Sequence, residues 1–518
     1  MTRRPLALPV AALLLIGCAP TATFSGSWTV TSTLAPSASN APADFTVRLG
    51  LKKKGFSDAS EPAPGLVRAW HRGLVVAAAA ALLIPASRSA RAYENTPALD
   101  GNAPEFVAEQ AQADNRDLEP NEQDEVQAMT IAPGTPEFWN GTSLLLKPRT
   151  YFLDRQRDSG VDSVAWALGG ALEYKSGWWL NQFQLAGTLF TSQKIYGPLD
   201  EDGTQLLLPG QKSFTVLGEA YGTWQIEPGT GMRVGLQSFD LPYLAGQDIR
   251  MVPNTFKAAA FGRKAETGLS YIGGYVDGIK LRNSDSFIPI SQAAGAQGTN
   301  KGLGFLGAQY AFPDGSVIGA VNQTSIDVMN TFYIHADKPF NLSEDVSLRA
   351  SAQYTDQHST GTDLIGNFAT HLAALKAELF YGNFSFRLAA SLAGDDKGIQ
   401  SPYGGPANYV GIIVNTFDRA GEKAWMVGMS YDFVGVGIKG LSAFTNVSTG
   451  HTPKSRANAS PDETEYDLTV DYRFAKDSKF QNLWIRVREA YVDQSKQQGG
   501  TSFSDFRIIV NYSFNLLD

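Results

Sequence analysis

From about residue 140 to its end the chain keeps a two-residue hydrophobic period, broken into segments of roughly ten residues, and this pattern restricts its folds more than any other feature. Phe506, Ile508, Val510, Tyr512 and Phe514 share one phase, while Asp505, Arg507, Asn511 and Ser513 hold the other, with Ile509 alone out of place. Tyr466, Leu468, Val470, Tyr472 and Phe474 alternate with Asp467, Thr469, Asp471 and Arg473, and the stretch Phe384 to Leu392 repeats the arrangement. More than a dozen such segments follow one another with neither a helical period nor a domain linker. At 18% charged residues the chain is too polar for a helical membrane bundle, and beyond Ala92 no apolar run approaches the roughly 20 residues a spanning helix needs. A membrane, if crossed, is crossed by strands.

The connections alternate in length. Short turns rich in Gly, Pro, Asn and Asp are expected at 175–177, 227–231, 313–315, 382–383, 435–440 and 475–479. Long polar connections are expected at 192–213, 240–265, 280–302, 395–408, 450–463 and 493–503. Short turns on one rim and long loops on the other are the plan of an outer-membrane barrel with its loops outside the cell. Aromatic residues at strand ends, Trp178 with Trp179, Phe332 with Tyr333, and Tyr512 with Phe514, fit girdles at the headgroup level. A spanning sheet must close, because an open edge leaves backbone groups unsatisfied in lipid. Dividing about 380 residues by roughly 21 per strand predicts about 18 antiparallel strands, with 16 the alternative. A barrel of that width holds a water-filled lumen.

The N-terminal part reads differently. Residues 1–92 form an extension and signal segment, and 67–92 is expected to be a removable signal peptide. Arg68, His71 and Arg72 precede the apolar run Gly73 to Ile84, followed by Ala90-Arg91-Ala92 at the cleavage positions. Initiation near Leu66 or Val67 would account for the residues upstream. The alternative is lipoprotein processing at Cys18, the one cysteine of the chain. Its position excludes an internal disulfide and a cysteine-built zinc site downstream. Residues 93–139 carry 11 acidic residues against Arg116 alone, the composition of a flexible acidic leader. The barrel is expected over 140–518.

No nucleophile elbow, paired-histidine metal motif, phosphate loop or dinucleotide fingerprint occurs, and His335, His358, His371 and His451 stand singly. No catalytic residue, metal, cofactor or nucleic-acid partner is therefore expected. The lumen is a different matter. Arg233, Arg349, Arg387, Arg486, Arg488 and Arg507 all fall on the polar phase of their strands. Arg486 and Arg488, two apart, must point the same way, and facing lipid would cost about 2–4 kcal/mol each at the midplane. Guanidinium groups bind carboxylates bidentately and keep their charge, so a lumenal row of them suits the passage of anions. The competing reading pairs them with wall acids such as Asp467, Asp471 or Glu219, as a scaffold.

Residues 140–518 resemble the OprD family of substrate-specific porins. The resemblance rests on Ser143 to Arg155, with its Lys147-Pro148-Arg149; on Leu241-Pro242 and Asp248-Ile249-Arg250-Met251-Val252-Pro253-Asn254-Thr255-Phe256; on Gly421-Glu422-Lys423-Ala424-Trp425; on Leu483 to Tyr491; and on Asp505 to Tyr512. The terminal Asp518 departs from the usual apolar ending. The resemblance implies an 18-stranded barrel with a third loop folded inward to form an eyelet, faced by an arginine row that passes carboxylate-bearing solutes such as amino acids or small organic acids. On that basis Arg149, Arg155 and Arg250 join Arg486, Arg488 and Arg507 in the channel, and Asp418 is placed as an acid for a cationic group. It implies an integral outer-membrane protein, monomeric or weakly trimeric. A general diffusion porin of 16 strands and an outer-membrane barrel hydrolase are the alternatives.

Overall fold

A lipid-spanning sheet of alternating strands leaves no unpaired edge only if it curls until its first and last members pair, and that is the architecture of the computed structural model. It describes residues 138–517 apart from 140, 456–458 and 476–477; the expected signal segment and most of the expected acidic leader lie outside the described residues. Wall strands are β1 (Ser143–Arg157), β2 (Ser163–Lys175), β3 (Phe183–Tyr196), β4 (Phe214–Glu227), β5 (Thr230–Gln237) and β6 (Thr255–Arg263). They continue with β7 (Gly268–Lys280), β8 (Leu303–Ala311), β9 (Val317–Ser325), β10 (Met329–Asn341), β11 (Val346–Ser359) and β12 (Ala369–Tyr381). The last six are β13 (Phe384–Ala393), β14 (Lys423–Asp432), β15 (Leu441–His451), β16 (Glu463–Arg473), β17 (Trp484–Gln494) and β18 (Phe503–Asn511). Each pairs antiparallel with its chain neighbours, and β18 closes onto β1 with Arg155 opposite Asp505 and Arg149 opposite Asn511.

Alternation sorts the side chains as the period requires. Leu168, Leu185, Leu306, Leu375, Leu388 and Tyr466 are exposed on the outer face, where lipid covers them, while Thr355, Gln357, Ser448, Thr469 and Arg488 are buried on the inner face. Ile509, the residue that broke the phase, points inward and packs with Tyr151, Leu153, Met251 and Val252. Phe332 and Tyr333 do not form a girdle pair. Neighbours on a strand point to opposite faces, so Phe332 is outward and Tyr333 is buried against Tyr243 in the lumen.

All the expected short turns fall on one rim, and all the expected long loops on the other. Three boundaries differ. The connection expected at 192–213 begins later, because β3 runs on to Tyr196. The one expected at 240–265 ends at 254, because the alanine-rich Thr255–Arg263 is a wall strand despite its weak strand propensity. The connection expected at 395–408 runs to 422. Two connections on the long-loop rim are themselves short, 158–162 and 326–328.

Candidate functional site

Two loops leave the rim and fill the lumen. L3 (238–254) buries Phe239, Leu241, Tyr243, Leu244 and Val252. Its polar ties run to opposite sides of the wall. Arg149 Nη1 and Nη2 grip both carboxylate oxygens of Asp248 at 2.7 and 2.9 Å, and Nη1 also donates to the Arg250 carbonyl at 2.7 Å. Tyr151 donates to the Ile249 carbonyl, and Gln323 on β9 donates to that of Pro242. Across the lumen Tyr243 meets Thr355 on β11 at 2.9 Å.

L7 (394–422) is the second inward loop. The run Tyr409-Val410-Gly411-Ile412-Ile413-Val414 cannot stay in water without exposing a large apolar surface, and it packs on Ala374, Ala424 and Met426 of the wall. Gln353 holds the Ala407 carbonyl and Ser448 that of Val410. L3 and L7 touch directly, since Tyr243 N donates to Gly405 O at 2.7 Å and Ala245 N to Tyr403 O at 3.1 Å.

The arginines collect on β1, β17 and β18 beside these loops. Arg488 and Arg507 are paired directly across strands and are essentially fully buried. Arg507 Nε donates to Asp505 at 2.5 Å, and Arg155 grips the other Asp505 oxygen at 2.6 Å while lying over the Phe503 ring. Arg486 makes a two-pronged contact with Asp471 at 2.7 Å, between the rings of Trp484 and Phe444. Arg488 donates to Thr469 Oγ1. Arg250 reaches in from L3 and donates to the Thr204 carbonyl at 2.8 Å; burial, followed by the nearby Arg507, pulls its guanidinium below the usual value. Register sets Arg155, Arg507, Arg488 and Arg486 as a descending diagonal from the loop rim.

Arg149 thus stands as the clamp on L3. Arg233 is buried over the Tyr221 ring. Arg349 and Arg387 flank Glu378 in register on the far wall, with Arg387 Nε and Lys376 Nζ at 3.0 and 2.9 Å from its oxygens. Glu219 receives Thr188 and Ser238. Asp418 lies in L7, accepting from Thr416 at 2.6 Å, and burial pushes its carboxyl up to about 6.

Sequence reading missed three participants. Arg282, just past β7, donates to Gln247 of L3, and burial followed by Arg250 and Arg507 lowers its guanidinium to about 9. Glu465, wholly buried on β16, accepts Val414 N and Asn415 N at 2.8 Å each. The signal for it was present: Glu463, Glu465, Asp467 and Asp471 share the lumenal phase of the strand beside Arg486 and Arg488. Lys280, buried at the end of β7, holds the Pro253 carbonyl at 2.7 Å.

This architecture has known relatives. The model of the outer membrane porin, OprD family, matches residues 136–516. Porin D of Pseudomonas aeruginosa is 22% identical over 408 residues, covering 73% of this chain and 92% of that protein. The porin-like protein GalP of Pseudomonas putida is 26% identical over 294 residues, 56% of this chain and 69% of that protein. Among solved structures, OpdK of P. aeruginosa with vanillate superposes with a TM-score of 0.64 at 22% identity, covering 73% of this chain and all of that one. OccK2 (OpdF) of the same organism in complex with glucuronate gives 0.62 at 22%, covering 74% of this chain and all of its own. The matched region, the closed 18-stranded wall and the lipid-facing outer surface together make this an integral outer-membrane channel protein, and the chain belongs to the OprD family of outer membrane porins.

Proposed function

We propose that the channel carries small carboxylate-bearing solutes by substrate-selective diffusion along Arg155, Arg507, Arg488 and Arg486, through an eyelet between L3 and L7 to which Arg250 and Arg282 add charge. The observation that carries this reading is the register of Arg488 directly opposite Arg507. Two guanidiniums brought together across a strand pair set a locally positive potential that favours an anion lying between them. Paired guanidiniums also match the two oxygens of a carboxylate. Support comes from the relatives, since vanillate and glucuronate, the molecules named with OpdK and OccK2, are both carboxylates. In this reading residues 67–92 export the chain and 93–139 form an acidic leader ahead of the wall.

Planar-bilayer recording tests the proposal. Small current steps, interrupted by millimolar benzoate or glucuronate, are the expected result. Large steps indifferent to carboxylates would indicate a general porin, and absence of channels a different role altogether.

A further inference from the structure

Of the four histidines among the described residues only His335 is buried on the inner face. His358 on β11, His371 on β12 and His451 on β15 stand exposed on the outward phase, near the loop rim. Lys423, the first residue of β14, joins them there: it is exposed, lies directly opposite His451 in register, and makes no ion pair among the described residues. Lys454, just past β15, is also exposed. Its contact with Asp462 is long, 4.0 Å, and His451 meets the same carboxylate at 3.6 Å. Asp462 is engaged more closely by Thr452 N and Gln498 Nε2, at 3.2 Å each, so the cations are held loosely. Elsewhere on the outer face the pairing is different, since Lys257 is neutralised by Asp277 at 2.7 Å.

Two residues further down these strands, about 7 Å, the same face turns apolar. Trp425 follows Lys423, and Val427 and Val447 are paired below it, with Tyr466 beside Val447. Trp425 and Tyr466 are 47% and 46% exposed, the position of a girdle at the headgroup level, which places Lys423 and His451 at the height of lipid phosphates. Between the two layers the hydroxyls of Thr449 and Thr464 meet at 3.1 Å. Asp493, opposite Thr464 and engaged by Ser502 at 2.9 Å, confines an anion to the Lys423 side. We propose that the outer face of β14, β15 and β16 binds a molecule of lipid A from the surrounding leaflet. One phosphate rests on Lys423 and His451 with Lys454 beside them, the sugar hydroxyls meet Thr449 and Thr464, and the acyl chains lie on Trp425, Val427 and Tyr466. Cations above an aromatic shelf match a lipid whose head is anionic and whose body is hydrocarbon. The site lies outside the lumen and is independent of the solute that passes through it.

Native mass spectrometry of the purified barrel, titrated with diphosphoryl lipid A and with the same lipid stripped of its phosphates, tests the proposal. Wild type should hold the phosphorylated form about tenfold more tightly. K423Q/H451Q should lose most of that preference, K423R should keep it, and K257Q should match wild type. W425A should weaken both forms alike, and millimolar inorganic phosphate should leave lipid A bound. A shift on heating in a denaturing gel shows that each variant has assembled, and the wild-type ratio decides even where one has not. Equal binding of the two forms by the wild type, or an undiminished preference in a heat-modifiable K423Q/H451Q barrel, overturns the proposal. Full displacement of lipid A by inorganic phosphate overturns it as well, in favour of a soluble anion.

Discussion

Arg488 on β17 and Arg507 on β18 face each other in register, 0% and 1% exposed, so two guanidiniums meet on the inner wall, where the L7 tip rests on Arg507. Asp505, gripped from one side by Arg507 and from the other by Arg155, and Asp471, gripped by Arg486, keep the row positioned. The neighbouring β16 supplies acids and β17 the arginines, giving the lumen a polarised strip rather than a uniformly basic one.

Closure of the first hairpin depends on Gly170, whose φ of +121° is a conformation L side chains rarely adopt, and where an added Cβ would meet the Lys147 carbonyl at 1.9 Å. Since β1 pairs with both β2 and β18, G170A should cost on the order of 3 kcal/mol and impair closure of the whole sheet. Comparing boiled and unboiled samples on a denaturing gel reads this directly. Wild type should shift with heating and G170A should give little or none of the fast-migrating form.

The Arg149–Asp248 clamp holds L3 while leaving the wall intact. In D248A the half-buried guanidinium loses its two-pronged partner while keeping Asn511 and the Arg250 carbonyl, a loss of about 2 kcal/mol in the docking of the loop. Single-channel conductance should rise and become noisier, while the gel-shift temperature stays within a few degrees of wild type. A conductance identical to wild type would show that L3 is held without the clamp.

Docking of L7 should weaken as pH rises. Burial, with Glu422 adding to it and Thr416 and Arg419 opposing, raises the Asp418 carboxyl from an ordinary 3.8 to about 6 when the loop is docked. The docked form therefore binds more protons than the released one between pH 4 and 6. Its stability is greatest below pH 4, falls through that interval and levels off above pH 6. Gating noise should increase over the same window, and D418N should flatten the profile. A wild-type profile that is flat, or that rises toward acid, contradicts this assignment.

Much of the wall was legible in the sequence, because lipid outside and water inside enforce a two-residue period over most of each strand. Arg486 and Arg488 revealed their direction through the alternating Ile485 and Val487 beside them. What crosses the lumen was less legible. Ile509 looked like an error in the pattern, and its reason, contact with Met251 and Val252 of L3, is a partner 257 or 258 residues away that no local period encodes. The inward course of L7 left a clue in the apolar run from Tyr409 to Val414 inside an otherwise polar connection, but which wall groups receive it depends on closure of the barrel. Arg282 could not be assigned by phase because it stands in a loop. The partners of each arginine likewise follow from cross-strand register, which turns and closure set.

Whether the arginine row conducts or merely braces is decided by the reversal potential of R486Q/R488Q under a salt gradient. Glutamine keeps hydrogen-bonding groups near Asp471 and Thr469 while removing two charges from a confined passage. Conduction along the row predicts that anion preference falls severalfold and that lactate flux falls with it, in a barrel that still shifts on heating. An unchanged reversal potential and unchanged flux, together with a lowered gel-shift temperature, would contradict the central claim and leave the arginines as braces of the wall.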